Sequence, residues 1–270
     1  MRCGVLGHPI AHSLSPVLHR AAYAELGLDW DYTAVDVTSD GLAGFLGGLD
    51  ASWRGLSLTM PLKRTVVPLL DEASDLVRAS GVANTVVVGE GGLHGHNTDV
   101  PGAVAALRER SDAVPRRVLV LGGGATATSL LLAAARLGCT SAVVMVREPA
   151  RAEPTVAALA RLPEAPEVRV LRIGDDPGPV DLACSTIPAD AQSPELVAVA
   201  TAAPVVFDVV YDPWPTPLAA TAAEAGRTVV SGLELLVHQA ADQVRLMTGV
   251  DVVPLDAMRA AGERALDVTR

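Results

Sequence analysis

From Arg117 to Leu121 a short apolar run leads straight into Gly122-Gly123-Gly124-Ala125-Thr126-Ala127, and an Ala/Leu-rich helical stretch then carries the chain to Gly138. Gly122, Gly124 and Ala127 satisfy G-x-G-x-x-G/A, placed between a strand and a helix as that pattern requires. The glycines let backbone N–H groups come close to a pyrophosphate, and the helix N-terminus supplies a dipole that favours the anion. A glycine-rich turn with no ligand is the bland alternative, and the pattern alone leaves it open. The surroundings narrow it, because short apolar runs continue at Ala142–Val146, Val168–Ile173, Val180–Ser185 and Val205–Val209. Such runs read as buried strands of a parallel sheet.

A cofactor without a 2'-phosphate usually meets an acid at the end of the second strand, whereas a 2'-phosphate calls for arginine. Here that strand ends in Val146-Arg147-Glu148, with Arg151 one turn later. The two arginines favour NADP(H); Glu148 between them keeps NAD(H) in view.

The first half shows its own β-α-β-α-β order, which predicts a largely parallel sheet. Arg2–Leu6, Trp30–Val37 and Arg54–Thr59 read as strands. Ser15 followed by Pro16 reads as a helix start, with the hydroxyl as cap and proline at the first helical position. A helix is expected over Asp71–Ala79. Gly89-Glu90-Gly91-Gly92 then turns a hairpin whose return strand ends in His96-Asn97-Thr98-Asp99. At the other end, Ser231-Gly232 opens a long helix and a last one closes the chain.

Two counts bear on chemistry. Among 21 cationic side chains Lys63 is the one lysine, and the rest are arginines. Arginine keeps its proton at any physiological pH, while a lysine ammonium can give one up, so proton transfer is one reason to retain lysine. A solvated loop charge is the other reading. The net charge of −10 argues against a nucleic-acid or anionic-membrane surface, which would need clustered cations. No run reaches the ~18 apolar residues of a membrane helix, and the N-terminus lacks a signal-peptide layout. Cys3, Cys139 and Cys184 lie scattered in apolar segments and read as core thiols of a reducing compartment, so a soluble cytoplasmic protein is expected. His8, His12, His94 and His96 form no credible metal set.

Several separated motifs, taken together, resemble those of the shikimate dehydrogenase family, which includes quinate-active members, over essentially the whole length. Gly7-His8-Pro9-Ile10-Ala11-His12-Ser13-Leu14-Ser15-Pro16 is similar to the family's serine-pair segment, and Ser57-Leu58-Thr59-Met60-Pro61-Leu62-Lys63 to V-T-x-P-x-K. Gly81-Val82-Ala83-Asn84-Thr85 looks like G-A-x-N-T, and Asn97-Thr98-Asp99 like N-T-D. Tyr211-Asp212-Pro213 with Thr216-Pro217-Leu218 resembles Y-x-P…T-P-L, and Gly232 to Ala241 resembles G-x-x-M-L-x-x-Q-A-A.

The resemblance implies an N-terminal α/β substrate-binding domain, a Rossmann-type dinucleotide-binding domain, and C-terminal helices returning to the first; the expected boundaries are 1–101 plus 238–270, and 102–237. It implies Lys63 and Asp99 as the catalytic pair, with Ser13, Ser15, Thr59, Asn84, Tyr211 and Gln239 on the substrate. Cofactor contacts are implied at Gly122, Gly123, Gly124, Ala125, Thr126, Ala127, Arg147, Arg151, Thr186, Val209, Gly232 and Leu235. Two positions depart from the family pattern: Val146-Arg147-Glu148 replaces Asn-Arg-Thr or Asn-Arg-Ser, and Leu235 replaces a methionine.

The implied activity is NADPH-dependent, reversible reduction of 3-dehydroshikimate to shikimate in chorismate and aromatic amino acid biosynthesis. Lys63 would donate the proton and Asp99 would hold its ammonium. Plainer roles exist for some of these residues: turn capping for Thr59 and Asn84, a helix cap for Asp99, and a core aromatic for Tyr211. Two other functions stay open, an NAD(H)-dependent quinate or aminoshikimate dehydrogenase and a non-catalytic shikimate-binding homologue. The expected partners are shikimate or 3-dehydroshikimate and NADP(H), with no metal, nucleic acid or membrane; a homodimer is left open.

Overall fold

A computed structural model of the chain describes residues 1–269. It divides into two compact units, Met1–Thr98 with Leu236–Arg270, and Asp99–Leu235.

The first unit begins β1 (Arg2–Gly7), α1 (Ser15–Glu25), β2 (Asp31–Asp36), α2 (Leu42–Gly47), β3 (Trp53–Leu58) and α3 (Leu62–Thr65). It continues β4 (Glu72–Ala73), α4 (Asp75–Ser80), β5 (Thr85–Gly89) and β6 (Gly92–His96). Its sheet runs β2-β1-β3-β5-β6-β4. The three strands joined by helical crossovers pair in parallel, because a crossover returns the chain to the same edge. The glycine turn at 89–92 reverses direction between β5 and β6, and β5 is antiparallel to β3 as well. The sheet is therefore mixed rather than largely parallel. On one face Leu6, Leu42, Leu56, Leu58, Leu62, Val66, Val77 and Val86 make an apolar core.

Two local expectations need correction. The helix expected from Asp71 starts only at Asp75, because Glu72-Ala73 pair with β6 and the Asp71 carboxylate accepts from Leu93 N–H at 2.8 Å. Ser15 is not a cap. It lies inside α1, whose N-cap is Leu14. Ser13 Oγ instead accepts from Ser15 N–H at 3.3 Å, which leaves the Ser15 side chain, 5 % exposed, to serve the interior.

The second unit runs α5 (Asp99–Arg110), β7 (Arg117–Leu121), α6 (Ala125–Arg136), β8 (Ser141–Val146), α7 (Glu153–Leu159), β9 (Glu167–Arg172) and β10 (Leu182–Ser185). Next come α8 (Pro194–Thr201), β11 (Val205–Asp208), α9 (Pro217–Glu224) and β12 (Thr228–Val230). The order is β12-β11-β10-β7-β8-β9, with every pair parallel. Counted from β7 this is 3-2-1-4-5-6, the doubly wound Rossmann order. The order reverses between β7 and β10, which puts the glycine loop after β7 at the switch point where such sheets bind ligands. β12 has no counterpart in the sequence reading; three residues are too few for a periodic signal.

The long helix α10 (Gly232–Thr248) starts in the second unit and continues in the first, and α11 (Leu255–Thr269) packs against α1 within the first.

Candidate functional site

In the second unit the three glycines after β7 do three different things. Gly122 has φ +104°, a region open to glycine and strained for other residues, and its N–H bonds Met145 O at 2.9 Å. A Cβ there would overlap the Thr186 hydroxyl, which donates to Leu121 O at 2.8 Å. A Cβ on Gly123 would stand 2.8 Å from Arg151 O and 3.1 Å from Ala152 Cα. The Gly123 carbonyl is held by Thr155 Oγ1 at 3.0 Å, itself bonded to Thr128 at 2.7 Å.

Gly124 differs from both. Its φ is −82°, and a Cβ would meet nothing within 4 Å. As N-cap of the twelve-residue α6 it offers no side-chain cap to the first turn, so the N–H groups of Ala125, Thr126 and Ala127 stand at a helix N-terminus beside open space. Two glycines are required by the fold and the third leaves a cradle, which fits the phosphates of a dinucleotide.

Arg147 is exposed at the end of β8 and has no hydrogen-bond or ion-pair partner among the described residues. Arg151 Nε lies 3.3 Å from Glu148 Oε2, both side chains well exposed. Such pairs are worth a few tenths of a kcal/mol, so Arg151 is readily released. Gly232, at the start of α10, lies flush against the Val209–Val210 peptide: a Cβ would collide with the Val209 carbonyl. Leu235 is buried on the same helix and Tyr211 is half-buried just beyond Val210.

A residue absent from the sequence reading holds this segment. Asp208 accepts from Thr216 Oγ1 at 2.6 Å, Gln192 Nε2 at 2.8 Å and Val210 N–H at 3.2 Å. Burial pushes its carboxyl above the usual range, and these three donors pull back.

In the first unit, Thr59 follows the last residue of β3. Thr59 N–H bonds Leu6 O at 2.9 Å and its carbonyl accepts from Leu62 N–H at 2.8 Å, which bends the chain into α3. Lys63, half-buried on that turn, accepts Ala83 N–H on its carbonyl at 2.8 Å. The chain's one lysine is thereby tied to the backbone beside Asn84.

Asn84 is 1 % exposed. Its Oδ1 accepts from Thr98 N–H at 2.8 Å and from Thr85 Oγ1 at 2.9 Å. Its Nδ2 donates to Thr98 Oγ1 at 2.9 Å and to Gln239 Oε1 at 3.1 Å. Gln239, on α10, donates in turn to Leu236 O at 2.9 Å. Asp99, 4 % exposed, opens α5. Of the residues singled out in the sequence, Asn84 and Gln239 touch directly, Lys63 is joined to them through Ala83, and Ser13 and Ser15 form a pair of their own. Thr85 and Thr98 belong to motifs already quoted; Gln243, discussed below, could have been found as a second buried-face glutamine four residues after Gln239.

Among the described residues no group of three or more His, Cys, Asp or Glu could hold a metal ion, and no helix is long and apolar enough to cross a membrane. His8 pairs with Asp36 at 2.6 Å and His94 with Glu72 at 3.0 Å.

Known proteins similar to this chain share one family. The family model for the shikimate dehydrogenase substrate binding domain matches residues 5–86, and that for the shikimate 5'-dehydrogenase C-terminal domain matches 232–261. A shikimate dehydrogenase (NADP(+)) from Synechococcus sp. is 34 % identical over 97 % of this chain and 95 % of its own length. The crystal structure of Mycobacterium tuberculosis shikimate dehydrogenase superposes with a TM-score of 0.89 at 36 % identity, covering 97 % of this chain and 99 % of that one. Shikimate 5-dehydrogenase of Thermus thermophilus, in complex with NADP(H) and shikimate, gives 0.86 at 32 % identity, covering 98 % and 100 %.

Proposed function

This chain belongs to the shikimate dehydrogenase family, and on that premise we propose that it catalyses the reversible, NADPH-dependent reduction of 3-dehydroshikimate to shikimate. The observation that carries the reading is the hydrogen bond from Ala83 N–H to Lys63 O, which sets the one lysine of the chain next to the buried Asn84 amide.

NADPH, when bound, supplies the hydride. Charge then develops on the ketone oxygen, and Lys63 donates a proton to it; in the oxidative direction the lysine takes that proton back. A positioned donor of this kind is worth ~10²- to 10⁴-fold. Asp99 holds the ammonium. Ser13 and Ser15 bind the substrate carboxylate. Asn84, Gln239, Thr59 and Tyr211 bond its hydroxyls.

On the cofactor side, Gly122, whose own N–H is held by Met145 O, shapes the turn, the N–H groups over Gly123, Gly124, Ala125, Thr126 and Ala127 take the pyrophosphate, and Arg147 with Arg151 takes the 2'-phosphate. Thr186, Val209, Gly232 and Leu235 frame the nicotinamide. Glu148 is the reason to consider NAD(H), and its engagement with Arg151 weakens that case. The reaction belongs in the cytoplasm: Cys3, Cys139 and Cys184 are all buried free thiols, as a reducing compartment keeps them.

Steady-state rates with shikimate and quinate, each with NADP⁺ and NAD⁺, test the reading. Shikimate with NADP⁺ should give the highest kcat/KM. A tenfold preference for NAD⁺, about 1.4 kcal/mol, would overturn the cofactor assignment, and a preference for quinate the substrate. Shikimate binding without turnover would mark a non-catalytic homologue.

A further inference from the structure

Gln243 lies on α10 four residues, about one turn, after Gln239. It is 1 % exposed, and a buried amide is costly unless its polar atoms are bonded. Its Oε1 accepts from Ser57 Oγ at 2.8 Å, and its Nε2 donates to Thr85 Oγ1 at 3.0 Å and Asn84 O at 3.1 Å. Ser57 Oγ receives the Tyr32 hydroxyl at 2.6 Å. Tyr32 is stacked on His19 at 3.9 Å between ring centroids, and His19 Nδ1–H donates to Ser15 O at 2.9 Å.

These bonds run in one direction. Tyr32 gives its proton to Ser57, and Ser57 gives its proton to Gln243. The Gln243 amide N–H occupies a lone pair of Thr85, so the Thr85 proton is free to go to Asn84 Oδ1 at 2.9 Å. With its oxygen held by Thr85 and by Thr98 N–H, the Asn84 amide directs its two N–H bonds to Thr98 Oγ1 and Gln239 Oε1. Removing Gln243 would release the Thr85 hydroxyl toward Thr98 Oγ1, 3.4 Å away, and the Asn84 amide would lose one of the bonds that fix its orientation.

We propose that Gln243 is a positioning residue for substrate recognition, acting through Thr85 to fix the orientation of the Asn84 amide and, through the Asn84 Nδ2–Gln239 Oε1 bond, of the Gln239 side chain that meets a ring hydroxyl of the bound polyol acid. Through Ser57 and Tyr32 the same amide leads to His19, which stacks on Tyr32 and bonds Ser15 O, so the segment that carries Ser15 packs on the same cluster. The inference rests on the proposed shikimate reading.

The test compares Gln243→Met and Thr85→Val, which keep volume and remove the bonds, with Thr85→Ser, which keeps the hydroxyl. The loss of one such bond is expected to raise KM for shikimate about tenfold in the first two. kcat and KM for NADP⁺ should stay within about twofold and threefold of the parent, and Thr85→Ser should behave as the parent does. A parental shikimate KM in Gln243→Met would overturn the proposal, as would an equal rise in KM for NADP⁺, which a general loosening of the fold would produce. Should Gln243→Met not fold, Tyr32→Phe removes a single hydroxyl from the same chain and is expected to shift shikimate KM in the same direction; no shift would refute the linkage. Calorimetric binding of shikimate without cofactor separates the two claims. A parent that binds shikimate without turning it over sinks the activity, and the ratio of binding constants still decides Gln243.

Discussion

Gly124→Ala separates a phosphate cradle from a turn that merely looks like one. The position has φ −82° and ψ −171°, ordinary extended backbone for alanine, and the added methyl would touch nothing within 4 Å. Folding should therefore be close to unchanged, since the loss of unfolded-chain freedom, worth about 0.4–1 kcal/mol, is offset by alanine being a poorer N-cap than glycine. If the space in front of Gly124 receives the pyrophosphate, the methyl forces the anion off the α6 N–H groups. Hydrogen bonds to charged groups contribute about 1.5–3 kcal/mol each, so losing one weakens NADP⁺ about 10- to 100-fold. Gly122→Ala and Gly123→Ala serve as controls, because they strain φ +104° or crowd Arg151 O and should lower the melting temperature. Fluorescence titration with NADP⁺ beside thermal melts reads both quantities. An alanine variant at 124 that melts no lower than the parent and binds NADP⁺ within twofold of it would refute the assignment of this loop to phosphate.

Three other outcomes are expected. Lys63→Arg should bind shikimate as the parent does and lose ~10²-fold or more in kcat, since guanidinium keeps the charge but not the transferable proton; a parental kcat would remove lysine from the chemistry. Arg147→Ala should cut the kcat/KM ratio of NADP⁺ to NAD⁺ by about 10- to 100-fold, the loss of one charged hydrogen bond or two to the 2'-phosphate, and an unchanged ratio would move that role elsewhere. His19 is buried and its pKa is lowered from 6.5 to about 4 by desolvation, against a raising bond from Ser15. The folded state then binds fewer protons than the unfolded one between those values, so stability is full above about pH 6.5 and falls as pH drops toward 4. At about 1.4 kcal/mol per pH unit that amounts to about 3 kcal/mol. Chemical denaturation from pH 7 to 4 should show a flatter profile in His19→Phe than in the parent, and identical slopes would discount the histidine.

How far each part can be read from the chain follows from what fixes it. The cofactor loop is fixed by backbone geometry, and glycine is the one residue whose absence of a side chain is written in the sequence, so Gly122 to Gly124 stand out at once. The parallel order of β7 to β11 follows from apolar runs alternating with helices. β12 does not, since a three-residue edge strand is defined by its neighbour β11 rather than by its own pattern. Ser15 misleads for a related reason: Ser-Pro is a local capping signal, but the helix already begins at Ser15 with Leu14 as its N-cap, and the Ser15 N–H is taken by Ser13 Oγ. The helix expected at Asp71 fails because Leu93 N–H, from the return arm of the hairpin, claims that carboxylate.

The same distinction governs how the glycine loop of the second unit and the side-chain cluster of the first tolerate change. A cradle made of backbone N–H groups asks little of side chains, which is compatible with a composition that has exchanged nearly every lysine for arginine. The substrate side is made of side chains that each commit a donor and an acceptor to the next. Ser57 receives from Tyr32 and gives to Gln243; Thr85 receives from Gln243 and gives to Asn84. Replacing one member with an apolar residue orphans a buried donor on one side and a buried acceptor on the other, about 1–3 kcal/mol apiece. Replacing two adjacent members together removes one of those losses. Substitutions along this chain are therefore coupled, and a polar residue at 243 has meaning only with a hydroxyl at 57 and at 85. That is why position 243, read alone, carries no signal of function, although it governs the orientation of the Asn84 amide.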